Sequence, residues 1–225
     1  MVPVLRIAFG LSPALAAGTS LILVMANSAS ATVAYIRQKR VDVRLGLIVA
    51  AAGLPGSILG ALLVARIPGA LFDLLFAAFL VALAVDLLAN RRRAGGAAAS
   101  AAGRTMPAWR SLTTGFSVGL VSSLFGIGGG VVLMPVLLYF SALPVHAVSA
   151  TSQFVIFLTA PAGLATHALG HNVQISYALP LALGGLLGGP VGAALSTRLR
   201  SATLVRLIAL ALIGTAIALA LRHTA

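Results

Sequence analysis

The sequence contains no cysteine, so disulfides, thiol nucleophiles and thiolate metal ligands are excluded. Acid is almost as scarce. Asp42, Asp73 and Asp86 are the only carboxylates in 225 residues. They offer no paired-carboxylate or metal-ligand spacing, and no nucleophile–base constellation accompanies them. Charged residues make up 8% of the chain, against roughly 25% in a soluble domain. Aromatics are few, at 6%. No cleavable signal is legible, because Met1-Val2-Pro3 starts inside an apolar run without a basic n-region. Neither catalytic residues nor a metal nor a cofactor is expected.

What the chain does have is apolar length. Hydrophobic residues make up 60% of it, together with 24 glycines. A spanning helix needs about 20 mostly apolar residues, and runs of that length recur. The predicted fold is an all-α polytopic membrane protein, with abundant Gly and Ala to let helices approach closely. The formal net charge is +12, from 15 Lys+Arg against 3 Asp+Glu. In a soluble protein this would suggest nucleic acid. Here the arginines sit at the ends of apolar runs, so the bilayer is the predicted partner and nucleic acid is not.

The chain also repeats itself. Val2-Pro3-Val4-Leu5 matches Met134-Pro135-Val136-Leu137 at an offset of 135 − 3 = 132. In the same frame Gly18-Thr19-Ser20 matches Ala150-Thr151-Ser152. Gly53, Gly56, Gly60 and Arg66 match Gly185, Gly188, Gly192 and Arg198. Apolar composition alone would align scattered Ala and Leu. It would not bring proline, Thr-Ser, three glycines and an arginine into one ungapped register, so a duplication is inferred. The predicted domains are a first repeat at 1–90, a basic Ala/Gly linker at 91–109 and a second repeat at 110–225. Spans are predicted at 14–36, 43–66 and 70–90, and at 146–168, 174–198 and 203–222. Residues 110–143 read as a hairpin broken at its glycines.

Charge sets the orientation. Arg37, Lys39, Arg40 and Arg44 form a basic loop, whereas the counterpart loop from Leu169 to Ser176 has no Lys or Arg. The linker and the turn holding Arg198, Arg200 and Arg206 are basic as well. The positive-inside rule then puts equivalent loops on opposite sides of the membrane, which makes the repeats inverted.

Gly126-Ile127-Gly128-Gly129-Gly130 is the sharpest local signal. Four glycines in five residues do not suit a helix interior, at about 1 kcal/mol each relative to alanine. Unwound backbone at membrane depth survives only inside protein or beside a watery cavity. Its free N–H groups make a seat for an anion, so Gly126, Gly128, Gly129 and Gly130 are predicted to bind substrate; the competing explanation is close helix contact. Thr151, Ser152 and Gln153 lie one to two turns into a span, and Thr19 and Ser20 hold the equivalent place from the opposite face. Their hydroxyls could donate to an oxyanion, or bond their own backbone instead. Asn27 is a polar group at mid-span, predicted to line the substrate path or else to make an interhelix hydrogen bond. His146 and His167 are candidates for proton coupling. Arg6, which stands where the second copy has Leu138, is expected to snorkel to the interface. The pairs Gly56/Gly60 and Gly188/Gly192 are expected to be helix-packing faces.

The run Gly126–Gly130, then Met134-Pro135, Pro144-Val145-His146-Ala147 and Ala150-Thr151-Ser152, resembles the signature of the sulfite exporter TauE/SafE family. The resemblance extends over nearly the whole chain. It implies a multi-pass permease of the bacterial inner membrane. Its expected cargo is a small anion such as sulfite, thiosulfate, a sulfonate or a related organic anion, with protons as a coupling partner and homo-oligomers among the expected assemblies. It also implies a matching glycine break in the first half. The offset puts that break before Met1, so the first hairpin reads as truncated, by a start assigned too late or by a true short form. The alternative function is a membrane subunit that transports only together with a partner.

Overall fold

The structure, a computed structural model, describes residues 1–89, 107–141, 143–198, 210, 213–216 and 218. Up to residue 198, eight helices follow one another among the described residues: α1 (Val2–Ile7), α2 (Pro13–Arg37), α3 (Val43–Val64), α4 (Gly69–Ala89), α5 (Ala108–Phe125), α6 (Gly130–Phe140), α7 (Val145–Leu169) and α8 (Ile175–Arg198). Among the described residues, five of these are long and apolar enough to cross a membrane: α2, α3, α4, α7 and α8. Five of the six predicted spans thus have helices within a few residues of their predicted limits. The sixth, 203–222, lies mostly outside the described residues, as does most of the linker.

Local chemistry sets the helix ends. Ser12 caps α2, its hydroxyl accepting from the Leu15 N–H at 3.4 Å, and Pro13 follows in the first turn, where a missing N–H costs nothing. Asp42 caps α3 by accepting from the Leu45 N–H at 3.0 Å, a position where negative charge also meets the helix dipole. Lys39 and His171, which follow α2 and α7, share the same left-handed φ of 55°. They stand 171 − 39 = 132 residues apart.

Glycines bring the backbones together. A Cβ on Gly56 or Gly60 of α3 would collide with the Phe116 or Leu120 carbonyl of α5. On α5, a Cβ at Gly115 or Gly119 would strike the Val49 or Gly53 carbonyl of α3. Without a strong hydrophobic drive between helices in lipid, such close approach carries much of the association. The expectation for Gly56 and Gly60 holds; at Gly188 and Gly192 no described atom comes within 4 Å of a Cβ. On α8 the packing glycines are Gly185, against the Leu23 carbonyl, and Gly189, against the Asn27 carbonyl, both of α2. Residues four apart form one line along a helix. α8 turns the line through 185 and 189 toward α2, and 188 and 192 fall on the neighbouring line.

Arg6 does not snorkel. It is buried and its Nε donates to Asp73 Oδ1 at 2.9 Å, while Nη2 reaches Asp73 Oδ2. Nη1 donates to the Leu11 carbonyl at 2.9 Å and Nη2 to that of Gly69 at 3.2 Å. A buried guanidinium is tolerated only when its donors are met, and a fork of carboxylate and carbonyls meets them. Its carbon also lies 5.8 Å from the Phe72 ring centre. α1 is thereby tied to α4. The same region holds an aromatic cluster in which Phe76 and Phe79 stack on Phe125, at 5.0 and 5.3 Å between ring centres. Phe125 is the last residue before the glycine break, so α4 fixes where the break begins.

Candidate functional site

The break lies where α2, α5 and α7 meet. Gly126 ends α5 in the left-handed conformation, with φ 61°, and Gly128 follows at φ 68°. A side chain at either would be strained. Space is limiting too: a Cβ on Gly126 would press on Ala17 and Ser20, and one on Gly128 would overlap Val24, all of α2. A Cβ on Gly129 would meet Val118, and one on Gly130 would meet Ile156. Gly126, Gly128 and Gly129 are buried and Gly130 is half-buried. The glycines therefore fit the explanation of close helix contact weighed from the sequence, letting α2, α5 and α7 approach the chain where it leaves the helix.

Gly18-Thr19-Ser20 on α2 is the hub. The Ser20 hydroxyl donates to the Gly126 carbonyl and to that of Ala17, so one side chain anchors the break. Thr19 Oγ1 accepts from the Gln174 N–H at 2.9 Å. On the other side of the molecule Thr151 Oγ1 accepts from the Asp42 N–H at 3.0 Å. Thr151 is 132 residues from Thr19 and Gln174 is 132 residues from Asp42. Each threonine thus holds the loop that follows the other's helix, by matching bonds. An accepting hydroxyl keeps its own proton to donate.

Each bond can be tested. Thr19→Val or Thr151→Val keeps the shape but removes the acceptor. Stranding a buried N–H costs about 1–3 kcal/mol. Thermal unfolding in detergent is expected to fall for both variants and to recover in Thr19→Ser and Thr151→Ser. Stability unchanged by either valine would dismiss the cross-links.

The remaining predicted residues divide. Ser152 donates to the Val148 carbonyl at 2.9 Å and the Ser149 carbonyl at 3.0 Å; its hydroxyl follows the competing explanation and bonds its own helix. Gln153 carries a buried Oε1 with no hydrogen-bond partner among the described residues. Asn27 is half-buried on α2, where its backbone carbonyl receives the Ser30 hydroxyl. His146 is exposed at the start of α7. His167 is fully buried near the end of that helix, with Nε2 3.1 Å from the Ser123 carbonyl.

Ser122 and Ser123, both buried on the last turn of α5, escaped the sequence argument. Ser122 stands beside Gly129 and the Ser123 hydroxyl against Gly163. The signal that could have found them is their place one turn ahead of the break. The described part of the chain presents no cluster of His, Asp or Glu able to hold a metal ion.

Comparison with known proteins gives a consistent picture. The family described as Sulfite exporter TauE/SafE matches residues 1–219. A protein of Bacillus subtilis (strain 168) named "Probable membrane transporter protein YunE" is 31% identical over 215 residues, covering 90% of this chain and 79% of that protein. One of Sinorhizobium fredii (strain NBRC 101917 / NGR234), "Probable membrane transporter protein y4hK", is 28% identical over 199 residues, 88% of this chain and 79% of its own. A "Probable membrane transporter protein" of Xylella fastidiosa (strain 9a5c) is 27% identical over 187 residues, covering 83% and 71%. No solved structure matches.

Proposed function

The chain belongs to the sulfite exporter TauE/SafE family, a family of multi-pass membrane transporters and not of enzymes, and we propose that it is a secondary transporter of a small anion in the bacterial inner membrane. The cargo is sulfite, thiosulfate, a sulfonate or a related organic anion. The observation that carries this reading is the buried glycine break, anchored by Ser20 and flanked by Ser122 and Ser123. An anion leaving water needs several donors at once. Backbone N–H groups of the break not bonded within it, with the Ser122 and Ser123 hydroxyls, would supply them without a buried charge of their own.

The two halves act as inverted repeats around that point. Three observations support this arrangement: the constant offset of 132, the reciprocal bonds of Thr19 and Thr151, and the matching left-handed Lys39 and His171. Rocking of one half against the other would expose the break to each side in turn. Thr19 and Thr151, already committed to the loops, then act as pivots as well as lining.

The test is flux. The purified chain in proteoliposomes is expected to move radiolabelled thiosulfate across the membrane, with sulfite and short sulfonates competing. Vesicles that admit thiosulfate no faster than protein-free ones would sink the reading.

One observation favours a second reading, that transport needs a partner helix. On α3, Gly56 and Gly60 are covered by α5, whereas their counterparts Gly188 and Gly192 on α8 face no described atom. Silence from the chain alone, and flux on adding a partner, would select it.

A further inference from the structure

His167 is the buried titratable side chain that the site described above leaves without a task. Its ring is 0% exposed, and Ser123 beside it is 1% exposed. The Ser123 carbonyl can only accept, so Nε2, at 3.1 Å from it, must carry the hydrogen. In the neutral ring Nδ1 is then a bare acceptor, and it has no hydrogen-bond partner among the described residues. The Ser123 hydroxyl likewise has none. Two residues joined by one hydrogen bond thus each keep a buried polar atom without a partner among the described residues, in a region where each unmet group is expensive.

The surroundings make room for the ring. A Cβ on Gly18 would collide with the Asn172 carbonyl and lie 2.9 Å from the His167 Cβ. One on Gly163, a turn before His167, would lie 2.7 Å from the Ser123 hydroxyl. In the first half the equivalent positions are Ala31, Tyr35 and, for Gly18, Ala150, and these three pack as a closed apolar cluster. The contact is thus polar and partly unmet at His167 and apolar at the equivalent positions. Among the described residues the groups shown beside His167 are uncharged: Gly18 of α2, Ser123 of α5, and Asn172 of the following loop, whose N–H bonds the His167 carbonyl. His171, the titratable residue of that loop, is exposed. The acids are placed elsewhere: Asp42 caps α3, Asp73 holds Arg6, and Asp86 is engaged near the end of α4.

We propose that His167 is the proton-binding site of this transporter: its unpartnered Nδ1 takes up a proton that moves in the same direction as the anion. The assignment rests on the anion-transport reading. The proton adds to the Nδ1 lone pair, giving an imidazolium with both ring nitrogens donating, and leaves from the same atom. Ser123 carries the consequence to the anion. Its carbonyl holds the ring, and it stands three residues before Gly126, where the break begins. A positive ring beside the break favours the anion there, and loss of the proton releases it.

Two measurements on the full chain test this. In proteoliposomes carrying a luminal pH dye, external acid is expected to speed thiosulfate entry several-fold, and entry is expected to acidify the lumen. His167→Gln keeps an N–H for the Ser123 carbonyl. It is expected to abolish both effects and to slow labelled-for-unlabelled thiosulfate exchange at equal pH, because no positive ring then favours the anion. Undiminished acid stimulation and proton entry in that variant would overturn the assignment. The second measurement uses the unaltered protein in nanodiscs, with isotope-labelled imidazole read by NMR and His167 assigned by its absence from the variant. Protonation of Nδ1 on acidification supports the proposal, even if the variant loses exchange altogether. A ring that stays neutral throughout overturns it. Titration of Nδ1 in a protein that moves no thiosulfate would leave the proton site standing and refute the transport reading instead.

Discussion

Gly128→Leu is expected to abolish thiosulfate flux in a protein that still enters the membrane. Two costs coincide at this residue. Its φ of 68° lies in the left-handed region, where a side chain costs about 1–2 kcal/mol. Its Cβ would also overlap Val24 of α2, and forcing bulk into a packed site costs about 1–3 kcal/mol more. Each 1.4 kcal/mol that falls on the transport cycle is about tenfold in rate. A drop of roughly 10- to 1,000-fold follows from about 1.4–4 kcal/mol falling on the cycle. The informative control is Gly188→Leu. Gly188 lies within α8, carries no positive φ and has nothing described within 4 Å. It is therefore expected to leave flux and thermal stability nearly unchanged. Normal flux by Gly128→Leu, with insertion confirmed by a fusion reporter, would remove the break from the permeation path.

The Arg6–Asp73 pair gives the second large effect. Removing one partner strands a charge among α1, α4 and Phe72, and breaking a buried pair this way costs about 3–5 kcal/mol. Arg6→Leu and Asp73→Val are each expected to lower the unfolding temperature steeply. The second half suggests the remedy. Its residues at the equivalent positions in sequence are Leu138 and Val205, both apolar. The double variant Arg6→Leu/Asp73→Val copies that pair and is expected to recover most of the loss, because a well-packed apolar replacement of a buried ion pair is often neutral or better. A double variant as unstable as the worse single one would show that the carbonyls of Leu11 and Gly69 need the guanidinium in their own right.

These two predictions show where sequence and structure part. Arg6 reads in the sequence as a lone cation near an end of the chain, and its partner is 67 residues away. No local pattern connects them, since an ion pair between helices is decided by which faces meet. Gly188 and Gly192 read as packing glycines because Gly56 and Gly60 share their spacing. A spacing of four marks a stripe and does not say which stripe a neighbouring helix will choose. On α8 the choice fell on Gly185 and Gly189. Ser152 and Ser20 are equivalent by sequence, yet one bonds its own helix and the other crosses to Gly126. A hydroxyl takes the nearest acceptor, and nearness is a property of the packed chain.

The sequence by itself determined the solvent and the kind of protein. Apolar runs of spanning length and scarce acid point to a helical membrane protein, and the ungapped offset of 132 points to a duplication. Those features are legible because hydrophobic transfer and repetition act along the chain, one residue after another. Tertiary structure alone decided the partners: that Thr19 and Thr151 hold opposite loops, that Arg6 is neutralised by Asp73, and that His167 lies beside Ser123 with one nitrogen unmet. Hydrogen bonds and ion pairs act over about 3 Å between atoms. Which atoms come that close is settled only when the helices have chosen their neighbours.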